Sequence, residues 1–402
     1  MIRRPPRSTH CISSAASDVY KRQLYFSEGL MIAITTVVTS LYLRSKAVPI
    51  PITTLAVGAA NIPWILKFVW GPIVDHFIKY GRRTFILFGG FLCVFSMFLA
   101  SQIDPSAYLI LFIFLIFLGH VGIGFIDVST DALAVDISTD EDRGKINGSM
   151  FAGQYSAWAL GSFLFPLIGS SHGYGYVYLL NGFIILAILI FPFLIREKIK
   201  YKTKQKIFNL VVREFKKRTT QLITVFSPLV FMNEGILSFI MPIYMRDFLD
   251  LKDVQIGMIS MLLPMFLALG SIAGGAITDK IGRKKALYIF IVLDAIFTAL
   301  LVFTDNWWKL SLIYSIVGFL LGAHSTVACA LFMDITNPRI GATQYGILTG
   351  IANIGLNGGG MISGSIAAIF SFAHVFLFAS WTFGPTLLVL YLIRFKNKKK
   401  FK

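Results

Sequence analysis

The sequence predicts an all-α membrane protein, with twelve transmembrane helices in two six-helix halves. Three observations lead there. First, 56% of the 402 residues are apolar and only 14% are charged, about half the charged share of a typical soluble domain; mean hydropathy is +0.72. Second, apolar stretches of about 20 residues recur along the chain, each long enough to cross a hydrocarbon core of about 30 Å. Third, short motifs return at an offset of roughly 200 residues, which marks a duplication. This composition excludes a soluble enzyme, and it excludes disorder, whose signature is low hydrophobicity. Cys11, Cys93 and Cys329 are scattered, giving neither a disulfide framework nor a zinc spacing. No metal and no cofactor is expected.

Residues 1–23 differ from everything that follows. They are basic, rich in Ser and Pro, and lack the apolar centre of a signal peptide. They read as a foreign, adapter-derived segment that replaces the opening turns of the first membrane helix. With their five Lys/Arg and one Asp set aside, the net charge falls from +17 to +13.

The spans are expected at 24–44, 52–74, 84–101, 107–130, 146–169 and 176–195. After a polar break they resume at 221–247, 254–278, 286–304, 309–333, 342–370 and 373–394. The N-terminal half is thus 24–195, the basic linker 196–220, the C-terminal half 221–394 and the basic tail 395–402. Every second inter-span segment, taken with the C-terminus, holds 26 Lys/Arg in all; the opposite side holds Arg44, Lys46, Arg246, Lys252 and Lys309. The positive-inside rule places the basic segments, and with them both termini, in the cytoplasm. The basic charge is therefore read as orienting the chain in a cell membrane, not as a nucleic-acid footprint. A monomer in lipid is expected.

Several motifs trace the duplication. Glu28-Gly29 returns as Glu234-Gly235. Gly71-x-x-x-Asp75 returns as Gly275-x-x-x-Asp279, and each is followed by a Gly-Arg-basic run, Gly81-Arg82-Arg83 and Gly282-Arg283-Lys284. Asp136 and Asp334 are a further matched pair. The loop-motif glycines are expected to permit close helix approach, and the basic residues to anchor the loop at the headgroups. The run from Gly275 to Lys284 resembles the cytoplasmic loop motif of the major facilitator superfamily. That resemblance implies the major facilitator fold and a charged cytoplasmic latch that breaks during alternating access.

A narrower likeness lies in Pro63-Trp64-x-x-Lys67-Phe68-x-Trp70-Gly71-Pro72-x-x-Asp75. It resembles the peptide–acetyl-CoA–drug branch of that superfamily, which includes AmpG-type muropeptide permeases and acetyl-CoA transporters. Asp127-x-x-x-Asp131-Ala is similar to a segment of the same branch, with Ile126 where that branch has Gln. The resemblance implies a small-molecule substrate that is muropeptide-like, acetyl-CoA-like or drug-like.

Intramembrane charges are costly and mark pathways or partners. Lys67 lies eight residues before Asp75, about 12 Å from that helix end. Asp127 and Asp131 share a helix face. Glu28 and Glu234 sit in the first span of each half, spans that line the cavity by resemblance. If Glu28, Asp127 and Asp131 lie near Lys67, three carboxylates face one ammonium. One of them is then a candidate proton carrier, and transport is expected to be proton-coupled. Gln154, Tyr155 and Trp158 on the fifth span, and Asn353 and Asn357 on the eleventh, are further candidates for the cavity wall. Asp294 is expected to be structural. His120, His324 and His374 are read as solitary packing histidines.

The chain has no G-x-x-x-x-G-K-[ST], no H-E-x-x-H and no G-x-S-x-G, so ATP hydrolysis, metalloprotease and lipase chemistry lack their machinery. The expected function is a secondary transporter working by alternating access. A membrane-embedded enzyme or a receptor without transport activity is the alternative.

Overall fold

The computed structural model describes residues 22–137, 143–194, 208–337 and 340–393. Of the foreign-looking segment only Arg22 and Gln23 fall among them, both helical; the rest of 1–23, residues 196–207 of the linker and the basic tail lie outside the described residues.

The chain is built from long helices: α1 (Arg22–Ser45), α2 (Ile50–Val74), α3 (Arg82–Ala100), α4 (Leu109–Ile137), α5 (Arg143–His172) and α6 (Tyr174–Phe193). Then come α7 (Arg218–Asp247), α8 (Asp253–Ile281), α9 (Arg283–Phe303), α10 (Trp307–Ile335), α11 (Gly341–Ile369) and α12 (Phe372–Leu392). Among the described residues, ten of these are long and apolar enough to cross a membrane. The other two, α5 and α11, have 30 and 29 residues. They are diluted by Gly, Ser, Gln and Asn, the residue types that let membrane helices approach and hydrogen-bond one another. A short amphipathic helix, Phe208–Phe215, precedes α7.

The packing repeats along the chain. α1 lies on α5, α2 on α4, α3 on α4 and α6, and α5 on α6. In the same way α7 lies on α11, α8 on α10, α9 on α10 and α12, and α11 on α12. Between the two sets, α2 packs on α11 and α5 on α8.

Glycine explains several of these contacts. A Cβ on Gly29 would fall on the Gln154 carbonyl of α5, and one on Gly235 would fall on the Leu356 carbonyl of α11. The Gly of each Glu-Gly pair is thus the point where a first helix meets its fifth-position partner. Gly355 and Gly359 likewise press against Pro228 and Met232. α11 runs without interruption, and its Gly355, Gly359, Gly360 and Gly364 are close-packing positions, whereas a Cβ on Gly346 or Gly358 would meet nothing within 4 Å.

Gly81 and Gly282 sit at φ +80° and +83°, just ahead of α3 and α9. A side chain is strained there, so the sharp turn itself demands glycine in both copies of the loop motif. Gly275 behaves differently from the sequence expectation. A Cβ there meets nothing within 4 Å, and at Gly71 only Val128 Cγ1 at 3.9 Å. In this conformation the two motif glycines do not mediate close approach, because the neighbouring helices stand apart at that end.

Two helices depart from regularity. α1 contains a wide π turn at Ile34–Val38, where the Thr39 hydroxyl donates to the Ile34 carbonyl at 2.9 Å. α2 breaks at Leu66 (φ −84°, ψ 9°) into Ile50–Ile65 and Lys67–His76. Pro63, which lacks an N–H, sits just before the break. Irregular backbone at membrane depth needs side chains to satisfy it. Here the Trp70 indole donates to the Pro63 carbonyl at 3.2 Å, and the Asn353 amide donates to the Trp64 carbonyl at 3.0 Å.

Candidate functional site

Four of the charged candidates converge beside the α2 break. Lys67 begins the second piece of α2, and its Nζ lies 2.5 Å from Asp127 Oδ2 on α4. The Asp127 side chain is 1% exposed and that of Lys67 27%. The lysine side chain is thus partly exposed, while the carboxylate it pairs with is sealed. Lys67 also stands 5.8 Å from the Trp64 ring. One turn along α4, Asp131 accepts a hydrogen bond from the Tyr25 hydroxyl of α1. Glu28, one turn along α1 from Tyr25, is within electrostatic range of Lys67, Asp127 and Asp131. It is buried, and its Oε2 has no hydrogen-bond partner. Three carboxylates thus crowd one ammonium, and only Asp127 has it in direct contact.

The opposite wall comes from α7, α10 and α11. Glu234 is half-buried, with Tyr155 and Tyr314 in its field. Tyr155 interacts with both Glu28 and Glu234 and faces Ser271 on α8, so it bridges the two clusters. Tyr345 hydrogen-bonds Cys329 and also feels Asp131 and Tyr155. Asn353 is held on the Trp64 carbonyl, and Asn357 is buried and donates to the Asn353 carbonyl at 3.0 Å. Gln154 offers its backbone to Gly29. Trp158, with Thr36, Ser238, Ser260 and Tyr314, borders a cavity of about 10 Å³, room for one water at most.

The structure also assembles groups that sequence reading passed over. His120 is not solitary. Its Nδ1 accepts from the Trp64 indole at 3.0 Å, and its Nε2 lies 2.6 Å from Thr35 Oγ1, which itself donates to the Met31 carbonyl. The indole can only donate, so the ring is neutral with its proton on Nε2. His324 is not solitary either: its Nε2 lies 2.9 Å from Asp294 Oδ2. Tyr25 was legible only as one more aromatic residue near the start of an apolar span, although it stands one turn from Glu28. His374 contacts Ser371 and Phe370 near the start of α12 and has no titratable partner among the described residues, but it is exposed and so is not a packing histidine.

The end holding the α1–α2 and α7–α8 connections is tightly tied. Arg44 Nε meets Asp247 Oδ2 at 2.7 Å, and Arg246 reaches the Leu41 carbonyl at 3.0 Å and Asp253 at 3.5 Å. The Tyr174 hydroxyl donates to Asp253 at 2.7 Å. All but the Arg246–Asp253 contact join the first six helices to the second six. At the basic end, among the described residues, Arg283 pairs with Asp334, and Lys284 reaches the Tyr391 and Ile393 carbonyls at 3.1 and 2.9 Å, contacts made within the second six helices. Arg82 is buried at the position that matches Arg283. The side chains of Asp75 and of Asp136, the counterpart of Asp334, lie outside the described residues. Gly71, Arg83 and Asp279 sit at the same end, in or beside the α2–α3 and α8–α9 turns.

The family model of the Major Facilitator Superfamily matches residues 24–248 and again 224–402. The chain belongs to this superfamily. Curated relatives that match over most of the chain include proteins named AmpG, of the AmpG-like branch. The protein named AmpG 4 in Rickettsia felis is 23% identical over 397 residues, covering 92% of this chain and 94% of its own. Among solved structures, the nucleoside transporter NupG (D323A mutant) superposes with a TM-score of 0.73 at 14% identity, covering 94% of this chain and 100% of its own. A bacterial homologue of the human lysosomal transporter Spinster, in an inward-facing and unoccupied conformation, gives 0.71 at 12% identity over 94% of this chain and 95% of its own. These likenesses establish the fold. This superfamily member is a multi-pass membrane transporter with a lipid environment and a small-molecule substrate, and not an enzyme.

Proposed function

We propose that the protein is a proton-coupled secondary transporter that moves a small solute by alternating access. On this reading α5 and α11 complete twelve spans, and residues 24–195 and 221–394 form the two halves. The repeated packing pattern and the twice-matching family model support that division. Both termini and the loop motifs are cytoplasmic, and the chain works as a monomer. The end tied by Arg44–Asp247 is then the outer one, closed, and the cavity opens inward.

One observation carries the reading: the Lys67–Asp127 ion pair beside the α2 break, crowded by Glu28 and Asp131. Buried like charges resist simultaneous ionisation. A proton on this cluster is the simplest way to hold it, and binding and release of that proton is a coupling step. Lys67, Glu28, Asp127, Asp131 and Glu234 are the coupling or substrate residues; Gln154, Tyr155, Trp158, Asn353 and Asn357 shape the cavity. The α2–α11 and α5–α8 contacts are the surfaces on which one half rocks against the other. The excess of carboxylates in the cavity favours a muropeptide-like or drug-like solute over a highly anionic, acetyl-CoA-like one.

The test is uptake into proteoliposomes under an imposed pH gradient, screened over solutes of these classes. The expected result is accumulation that needs the gradient and fails in Asp127→Asn. Uptake in Asp127→Asn that still follows the gradient removes Asp127 from the coupling. No gradient-linked flux of any solute overturns the coupling itself.

A further inference from the structure

A second ionisable cluster lies inside the C-terminal half, away from the Lys67 site. Asp294 on α9 and His324 on α10 are both fully buried, with Nε2 2.9 Å from Oδ2. Asn233 on α7 donates to Thr298 Oγ1 at 3.1 Å, and the Thr298 hydroxyl donates to Asp294 Oδ1 at 3.1 Å. The hydrogens thus run in one direction and end on the carboxylate. The carboxylate is within reach of the Asn233 amide, the Thr298 hydroxyl and the His324 ring. Among the described residues, His324 Nδ1 and Asn233 Oδ1 are buried without a hydrogen-bond partner, and of the two only the ring nitrogen can take up a proton. A T-shaped contact with Phe383 orients the ring.

We propose that the Asp294–His324 pair is a proton-binding site. With a neutral ring the cluster leaves one net negative charge in a low-dielectric interior, where no water can screen it. One proton taken up at Nδ1 forms an N–H bond, breaks no bond in the protein, and makes the pair net neutral. A purely structural link between α7 and α9 needs only Asn233 and Thr298; the acid and the imidazole bring in α10 and add a charge state. The neighbouring ionisable group is Glu234, one residue past Asn233 and half-buried toward the cavity, and Asp294 lies within its field. Tyr314 and Cys329 on α10 lie toward Glu234. α12 offers the Phe383 ring and the buried, uncharged Thr386. Arg283, Lys284 and Lys285 on α9, and Asp279 and Lys280 on α8, are at the basic end, with Arg283 committed to Asp334. The pair is thus placed to exchange its charge state with Glu234 as the cavity changes access. This deepens the proton-coupled reading and rests on it for the site's use, not for its existence.

The test is nuclear magnetic resonance of the full chain in lipid nanodiscs, with ring-labelled histidine and the His324 signal assigned through His324→Gln. The ring is expected to change protonation state across the pH range in which the protein stays folded. Asp294→Asn is expected to abolish that change and leave the ring neutral, while Asp294→Glu restores it. A ring fixed in one state across the range in the unaltered protein overturns the proposal, as does an Asp294→Asn ring that titrates as before. Titration that persists in a protein showing no pH-linked uptake supports the site and counts against the coupling instead.

Discussion

The Asn353 side chain of α11 donates to the main-chain carbonyl of Trp64 on α2 at 3.0 Å. The bond joins two helices 289 residues apart in sequence, at the spot where α2 loses its regular ladder. Trp64 also donates its indole to His120 and stacks below Lys67. One residue therefore links the partner helix, the buried histidine and the ion pair. Replacing Asn353 by Leu leaves the carbonyl without its donor at little change in volume. An unsatisfied buried acceptor costs about 1–3 kcal/mol. The expected outcome is a lower melting temperature, together with faster amide exchange confined to residues 62–68. A melting curve and an exchange profile unchanged from the parent would show that α2 holds its break without help.

The Lys67–Asp127 pair calls for a double-mutant cycle. Lys67→Met strands a carboxylate that is 1% exposed, and breaking a buried pair in this way costs about 3–5 kcal/mol. Asp127→Asn strands the ammonium, which is more open and can turn to the cavity, so it should cost less. The double variant removes both charges and should recover most of the loss, with a coupling energy of at least about 1 kcal/mol. Thermal melting in detergent reads all four corners. Strictly additive losses would mean that Lys67 and Asp127 do not interact in the folded protein.

Much of the fold was legible because the bilayer imposes a length. The expected spans at 24–44 and 221–247 meet helices Arg22–Ser45 and Arg218–Asp247, and eight others meet candidate spans within three residues at each end; those at 146–169 and 342–370 meet long helices that are not among the ten candidate spans. The Gly-Arg loop motif was legible for a similarly local reason, since a turn at φ near +80° admits glycine alone at no cost. The pairing of side chains was not. Lys67 and Asp127 are 60 positions apart in sequence, and nothing in either span says which way its polar residue faces. His324 looked solitary because its partner, Asp294, sits 30 residues earlier on another helix. The open face of Gly275 was illegible for another reason: sequence motifs record a contact that one conformation makes and this one does not.

On the proposed orientation the end tied by Arg44–Asp247 is the outer one, and its contacts are expected to set the balance between conformations. Arg44–Asp247, Arg246–Leu41 and Tyr174–Asp253 join the halves there. The Arg44 and Asp247 side chains are each only 19% exposed, so this pair is screened less than a free surface bridge. Exposed bridges give up to about 1 kcal/mol each. Arg44→Gln with Tyr174→Phe should therefore shift the population toward the outward-open form by roughly 5-fold or more. Reaction of Ser238→Cys, beside the small cavity, with a membrane-impermeant thiol reagent added outside reads that population. A rate equal to that of the tied parent would show that close packing, such as that of Gly257, where an added Cβ would fall on the Phe163 carbonyl, keeps the end shut alone.

The helix Phe208–Phe215 is anchored by one carboxylate, and that anchor has a pH sign. Glu214 Oε1 accepts from Asn337 Nδ2 at 2.9 Å, and Oε2 meets Lys217 Nζ at 2.5 Å. The Lys217 contact first, then the Asn337 bond, holds the Glu214 carboxyl below its ordinary range. Both favour the ionised form, and Asn337 ties the linker helix to the segment after α10. A depressed carboxyl contributes its full stabilisation above the unfolded value of about 4.3 and loses it as pH falls through the lowered folded value. Docking of residues 208–215 should therefore be constant from neutral pH down to about pH 5 and weaken only below that. Glu214→Gln keeps an acceptor for Asn337 but removes the charge. In this variant amide exchange at 208–215 should be faster at neutral pH than in the parent, and should no longer depend on acidification beyond the intrinsic chemistry. Exchange that is equally protected in both proteins at neutral pH would assign the docking to the apolar face of the helix and not to Glu214.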